Sequence, residues 1–376
     1  MTPAAFHNGH LLFDGIWHGQ GRLQGDGDRL GPLATPAAGE ESIDLDGGFV
    51  VPGFIDTQVN GGGGVLFNEH TDVDGIAAIA AAHAPYGTTA LLPTLISAPI
   101  EQVAQALDAV DAAIEQGVPG VVGIHIEGPF LNVARKGIHD ASRFRPLDDA
   151  AVALLSRPRR GAVMVTLAPE QNDVAAIRAV ADAGVLVSIG HSDASYDQAR
   201  AAIAAGARGV THLYNAMSPL RHREPGVVGA ALEDREVYCG LIVDGAHVHP
   251  AAIRIALAAR PLDRFMLVTD AMPTVGSADK SFVLDGRRIT VRDGVCVGEG
   301  GTLAGSDLDM ARAVRNTRDL GVPLDDVLTM AAAAPAAFLR MDDRLGRLAP
   351  GHRADFVWLD RDLQVRGTWI GGTRIF

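Results

Sequence analysis

Val121-Val122-Gly123-Ile124-His125-Ile126-Glu127-Gly128-Pro129 is an apolar run that stops on a carboxylate, with glycine and proline closing it. The same shape recurs down the chain: His191 follows Val185–Gly190, His212 follows Gly209–Thr211, and Asp270 follows Phe265–Thr269. A short apolar run bounded by turn residues marks a buried strand. Strands that each deliver one chemical residue at the carboxyl end mark a barrel whose strands all point at one mouth. One carboxylate and two imidazoles suit a divalent metal, and a further carboxylate suits proton transfer.

Eight such runs can be counted outward from this one: Phe54–Val59, Thr88–Leu95, Val121–Glu127, Val163–Ala168, Val185–His191, Gly209–Leu213, Tyr238–Val243 and Phe265–Asp270. Ala-rich amphipathic segments lie between several of them, at Val73–Tyr86, Ile100–Gln116, Val174–Ala183, Tyr196–Ala205 and Pro250–Ala259. Leu308–Leu320 and Leu324–Leu339 follow the eighth. Strand–helix repeats in that number predict an α/β chain with a (β/α)8 TIM-like barrel rather than an open doubly wound sheet. Gly61–Gly64 lacks the GxGxxG spacing and has no helix directly behind it, which makes it a tight loop at the barrel mouth. Phe282–Val297, with Asp285-Gly286 and Asp293-Gly294 at turn positions, predicts an inserted β-hairpin near 282–297.

The two ends have another texture. Short apolar pieces broken by Gly, Pro and Asp occur at His10–Phe13, Gly15–His18, Arg22–Leu23 and Ser42–Leu45, and again at Gly346–Leu348, Asp355–Leu359, Gln364–Ile370 and Thr373–Phe376. They predict a small β-sandwich domain built from both termini, residues 1–52 and 345–376, around a barrel spanning 53–344.

With 376 residues, 47% hydrophobic and 20% charged, the chain suits a globular protein with one large core. No apolar stretch reaches the ~18–20 residues a membrane span needs. Met1–His10 carries no Lys or Arg and no apolar stretch of signal-peptide length, so cytoplasmic residence is expected. Cys239 and Cys296 are too far apart for a CxxC site and are expected to be isolated thiols. A net charge of −13 argues against nucleic acid as a partner, but leaves room for a small anionic substrate held by local arginines and backbone N–H groups.

Glu127, His191 and His212 form the candidate ligand set, and Asp270 the candidate acid/base. Any one of these histidines alone would more often be a satisfied core residue; together with a strand-end carboxylate they point to a metal. Asn215 and Ala216 follow His212 in a turn whose backbone N–H groups can face a phosphate.

Val51–Gly64, His125–Phe130, Thr166–Glu170, Gly190–Ser192, Thr211–Met217, Arg223–Gly226, Asp244–His247 and Val268–Asp270, with the return at Leu345–Asp355, resemble the N-acetylglucosamine-6-phosphate deacetylase family of the amidohydrolase superfamily. Members of that superfamily commonly carry His-x-His on the first strand, where this chain has Gln58-Val59-Asn60. Its only lysines, Lys136 and Lys280, end no predicted strand, so a bridging carboxylated lysine is not expected. The resemblance is to the single-metal members. It implies one divalent ion on Glu127, His191 and His212, Zn²⁺ first, with Fe²⁺, Co²⁺ or Mn²⁺ accepted by the same ligands, and Gln58 touching a water there.

The resemblance implies hydrolysis of N-acetyl-D-glucosamine 6-phosphate to D-glucosamine 6-phosphate and acetate, in amino-sugar catabolism or cell-wall recycling. Asp270 would take a proton from water and return it to the departing amine. His139 would donate to the developing oxyanion. Asn215, Ala216 and His247 would hold the sugar phosphate. Arg223 would reach the neighbouring subunit's site in a homodimer, its guanidinium fork gripping two phosphate oxygens. Another N-acetylhexosamine phosphate, such as the galactosamine epimer, is an alternative substrate. A cyclic-amide hydrolase and a non-catalytic barrel are more distant alternatives.

Overall fold

The computed structural model describes residues 4–376; the first three residues of the predicted 1–52 segment lie outside the described residues. Eight parallel strands form one sheet in chain order: Phe54–Val59, Thr88–Ile96, Gly123–Glu127, Ala162–Leu167, Leu186–Ile189, Gly209–Val210, Tyr238–Leu241 and Phe265–Leu267. The first and last meet at their carboxyl ends, where Val59 bridges Ala271 in parallel and the Asp270 N–H donates to the Gln58 carbonyl at 3.0 Å. The buried Asp56 carboxylate fastens the same seam, accepting from Thr269 Oγ1 at 2.5 Å and from the Thr269 N–H at 3.3 Å. The predicted barrel is the barrel found.

A helix lies behind every strand: Val73–His83, Ile100–Glu115, Asp149–Leu155, Val174–Asp182, Tyr196–Ala204, Gly226–Glu233, Pro250–Ala259 and Met310–Asp319. Their starts are chemically marked. Asp72, Asp148, Asp173 and Asp309 each accept a first-turn N–H, and Ser195 with Gln198 forms a reciprocal capping box. Asp149–Leu155 and Gly226–Glu233 escape sequence reading because 7 and 8 residues are too short to display a helical period. The predicted Leu324–Leu339 helix divides into Leu324–Leu328, a π-helical turn at Thr329–Ala333, and Ala334–Phe338. Phe338 and Leu339 close the barrel base against Leu92, Met164, Leu186, Tyr238 and Met266.

The two ends of the chain build a separate sandwich. A six-stranded sheet takes His10–Phe13, Ile16–His18 and Phe49–Pro52 from the front and Phe356–Leu359, Val365–Ile370 and Thr373–Arg374 from the back. A three-stranded sheet of Ala4–His7, Gly21–Leu23 and Ile43–Asp44 lies in the same unit, and Phe6, Leu11, Phe13, Val50, Phe356 and Trp369 share one core.

After the eighth strand comes an antiparallel sheet of four strands, Ser281–Leu284, Arg287–Arg292, Val295–Val297 and Leu303–Ser306. It extends the predicted hairpin by its outer strand. Both Asp-Gly pairs sit in turns with positive φ, 49° and 73° at Asp285-Gly286 and 51° and 79° at Asp293-Gly294, the conformation that tight hairpins need. Among the described residues no helix is long and apolar enough to cross a membrane.

Candidate active site

Three of the four strand-end residues stand just beyond their strands rather than in them. His191, His212 and Asp270 have φ of 47°, 32° and 54°. Non-glycine residues seldom occupy this left-handed region, and one that does turns the chain out of its ladder. The strands predicted to run to His191, Leu213 and Asp270 therefore end at Ile189, Val210 and Leu267. Glu127 alone is the last residue of its strand. Backbone contacts hold these turns: the His191 carbonyl accepts from the Asn132 N–H at 3.0 Å, and the Asp270 N–H is fixed in the seam.

The three turns and the strand end bring their side chains together. His212 Nε2 lies 3.1 Å from Glu127 Oε1 and 3.1 Å from His191 Nε2, and His191 Nε2 lies 3.4 Å from the same carboxylate oxygen. His191 Nδ1 donates to the Arg135 carbonyl at 2.8 Å, which leaves a lone pair on Nε2. All three residues are buried. Burial pushes the Glu127 carboxyl up, but the adjacent His191 and His212 imidazoles outweigh it and hold Glu127 well below its usual range. Burial also opposes charge on His212, and the Glu127 carboxylate overrides it and raises the imidazole.

Two amides connect this cluster to Asp270. Gln58 Nε2 donates to Glu127 Oε1 at 3.0 Å and to Asp270 Oδ1 at 3.1 Å, so one side chain spans both carboxylates. Asn60 Nδ2 donates to the same Asp270 oxygen at 2.6 Å. In the sequence Asn60 stands only as a missing histidine; its place two residues from Gln58, on one strand face, is the signal for its role. Burial, and then the Glu127 charge, push Asp270 up to about 6.

His139 comes from the loop after the third strand, and its ring packs edge-on against His191 with centroids 4.3 Å apart. Two sets of three donors thus share Glu127 and His191: one with His212, and one with His139, whose ligand atoms all lie within 4.8 Å. Proton placement separates them. The Ser97 N–H points at His139 Nδ1 from 3.4 Å and Ser97 Oγ lies 2.8 Å from it. A backbone N–H only donates, so Nδ1 accepts and Nε2 carries the hydrogen. On that placement Nε2 offers an N–H rather than a lone pair. Burial, with the neighbouring His191, holds it well below the usual histidine range and keeps it neutral.

Glu127, His139, His191, Asn60 and Asp270 line a cavity of about 350 Å³ together with Asn215, Ala216 and His247. Asp244 Oδ2 holds His247 Nδ1 at 2.6 Å. Burial drives Asp244 up, yet its bonds to His247 prevail and keep it below the ordinary carboxylate range. Arg223 is not brought in: it is exposed on the segment before helix Gly226–Glu233 and lies outside the cavity lining. Arg135, absent from the sequence prediction, lines the cavity and pairs with Asp193 at 2.8 Å.

Residues 49–375 match the model of the amidohydrolase family. The chain is 44% identical to the N-acetylgalactosamine-6-phosphate deacetylase of Shewanella sp. (strain ANA-3), over 88% of this chain and 84% of the relative. It is 35% identical to the N-acetylglucosamine-6-phosphate deacetylase of Haemophilus influenzae, over 91% of this chain and 90% of the relative. The crystal structure of N-acetylglucosamine-6-phosphate deacetylase from Pasteurella multocida superposes with a TM-score of 0.94 at 35% identity, covering 99% of each chain.

Proposed function

The chain belongs to the amidohydrolase family, and we propose that it hydrolyses the acetamide of N-acetyl-D-glucosamine 6-phosphate to D-glucosamine 6-phosphate and acetate. One observation carries this reading. Beside a cavity lined by Glu127, His191 and Asp270, the Gln58 amide joins the buried Glu127–His191–His212 set to a second, proton-accepting carboxylate.

The donor set fits one divalent ion. His191 turns an Nε2 lone pair toward the Glu127 carboxylate, and His212 Nε2 converges on the same point. Such lone pairs repel one another unless a proton or a cation stands among them. Glu127, His191 and His212 would hold the ion, and Zn²⁺ suits two imidazoles and a carboxylate, with Fe²⁺, Co²⁺ and Mn²⁺ as competitors. A bound ion supplies Lewis acidity and a water activated near neutral pH. Amides at Gln58 and Asn60, in place of imidazoles, favour one tight site over two.

The remaining steps belong to the chain's own groups. Both amides donate to Asp270 Oδ1, so Oδ2 is the oxygen that takes the proton of the attacking water and returns it to the amine nitrogen. A carboxyl raised to about 6 exchanges a proton near neutrality more readily than an ordinary aspartate. His139 donates from Nε2 to the acetamide oxygen as negative charge develops there. The Asn215 N–H is given to the His212 carbonyl at 2.9 Å, so the phosphate is received on the Ala216 N–H with Asn215 beside it in the cavity wall, and His247 presents Nε2 because Asp244 occupies its other nitrogen. Arg223, exposed in one chain, would serve the neighbouring subunit's site in a homodimer. Cytoplasmic residence accords with a phosphorylated substrate.

The Shewanella relative, at 44% identity, favours the galactosamine epimer as the second reading. Acetate release should be assayed on both 6-phosphates and on unphosphorylated N-acetylglucosamine, alongside elemental analysis. The expected outcome is turnover of the glucosamine phosphate, about one metal per chain as for a single catalytic zinc site, and far slower release from the unphosphorylated sugar. Preference for the galactosamine phosphate would select the second reading, and no release from either phosphate would sink both. Arg223→Ala should raise KM for the phosphate ester while sparing kcat.

A further inference from the structure

Directly beneath the cluster the barrel is filled by hydrogen-bonded side chains. His125 lies two residues before Glu127 and shares its inward face; it is 0% exposed. Its Nε2 meets Thr166 Oγ1 at 2.7 Å, Thr166 Oγ1 meets Thr211 Oγ1 at 2.7 Å, and Thr211 Oγ1 meets Ser188 Oγ at 2.7 Å. On its other side, His125 Nδ1 lies 3.3 Å from Thr94 Oγ1. Thr94 Oγ1 in turn accepts from the Val59 N–H at 2.9 Å and donates to the Leu92 carbonyl at 3.2 Å. This chain of bonds crosses the first six strands, and all five side chains are 0–2% exposed.

One order of protons satisfies every group. Because Thr94 spends its hydrogen on Leu92, it accepts from His125 Nδ1–H, and His125 Nε2 is left to accept. Thr166 then donates to His125, Thr211 to Thr166, and Ser188 to Thr211, each hydroxyl hydrogen being used once. The bridge from Thr166 to Thr211 passes over the fifth strand at Gly190. A Cβ there would meet Thr166 Cγ2 at 2.7 Å and Thr211 Cβ at 3.0 Å, so the glycine just before His191 makes room for the link. Barrels usually fill this interior with bulky branched residues. A polar layer is stable only when complete, and this one is complete.

Each member is tied to a residue of the cluster. Thr166 pairs in register with Glu127, Thr211 precedes His212, and Ser188 stands three residues before His191. We infer that His125 is a positioning residue: by joining Thr94 to the Thr166–Thr211–Ser188 chain it sets the relative heights of the strands that carry Glu127, His191 and His212, and so the spacing of the metal donors. The inference rests on the metal role proposed above for those three residues.

The test compares wild type with His125→Phe, which keeps the ring volume without the hydrogen bonds, and His125→Gln, whose Oε1 can still accept from Thr166. Zn²⁺ alone is titrated into metal-stripped protein against a competing chelator, and apo melting temperature, kcat and KM are recorded. The Phe variant should bind Zn²⁺ about 10–100-fold more weakly, as partners behind metal ligands commonly do. Its kcat should fall with little change in KM, and the Gln variant should recover much of the affinity. Unchanged Zn²⁺ affinity in the Phe variant overturns the inference. So does a loss that follows the apo melting temperature and is not rescued by Gln. Should the Phe variant fail to fold, Thr166→Val cuts the same chain one link further on, and unchanged affinity there is equally decisive. A wild-type protein that binds Zn²⁺ tightly but releases no acetate would refute the deacetylase reading and leave the positioning role standing.

Discussion

At the base of the barrel Leu92, Met164 and Leu186 face inward and pack with Tyr238, Met266 and Phe338. Two residues further along, on the same faces of the same strands, stand Thr94, Thr166 and Ser188, each hydrogen-bonded to a neighbour. Within about 7 Å of strand the interior thus changes from apolar contact to directed bonds. Apolar packing is non-directional and tolerates swaps that conserve volume. Hydrogen bonds fix distances and angles, and they suit the layer on which a cluster of donors must stand at set spacings. The base holds the barrel together, and the mouth holds its residues in place.

Substitutions at the two ends should therefore separate activity from stability. The largest effect is expected at the mouth: Asp270→Asn should lower turnover by about 10²–10⁴-fold, the usual contribution of a positioned acid/base. Zn²⁺ content and melting temperature should stay near wild type, since Asn tolerates the left-handed conformation that Asp270 adopts. Retained turnover in that variant would break the assignment. Next comes the base, where Phe338→Ala should cost about 3–5 kcal/mol in urea unfolding, as for other buried aromatics. The folded fraction should keep its kcat. A Phe338 variant impaired in turnover but not in stability would erase the contrast between the two ends.

The smallest effect belongs to the seam. Burial pushes Asp56 up from 3.8 to about 7, so the folded protein favours its neutral form. Its contribution to stability is fully present below 3.8 and is lost as the pH rises through about 7. Asp56→Asn does not titrate. The advantage of wild type over that variant should shrink across this window in urea midpoints measured at several pH values. A difference independent of pH would show that the seam does not depend on the protonation of Asp56.

The barrel was legible because its strands are apolar runs and its longer helices repeat at helical spacing. Glu127, His191, His212 and Asp270 were legible because each stands where such a run stops. The left-handed turns were not, since nothing in a His or Asp at a strand end announces positive φ as a glycine would. The amide clasp of Gln58 and Asn60 on Asp270 joins the first and last strands, a pairing more than two hundred residues apart that no local pattern encodes. Ser97, which sets the His139 tautomer, comes from yet another strand end. Arg223 carries its meaning only through the resemblance, for in one chain it lies outside the residues that line the cavity.

The sandwich has a consequence in time. Its strand Phe49–Pro52 pairs with His10–Leu11 on one side and with Phe356–Leu359 on the other. A ribosome releases the chain from its front end at ~5–20 residues per second, so the second partner follows Phe49–Pro52 itself only after ~15–60 s. Throughout that interval Val50 and Val51 present an open ladder edge, the kind of surface on which strands of other chains dock. A nascent chain stalled before Phe356 would offer that edge to a protease or a chaperone. A segment made long afterwards thus completes the sheet that His10–Phe13 and Phe49–Pro52 begin.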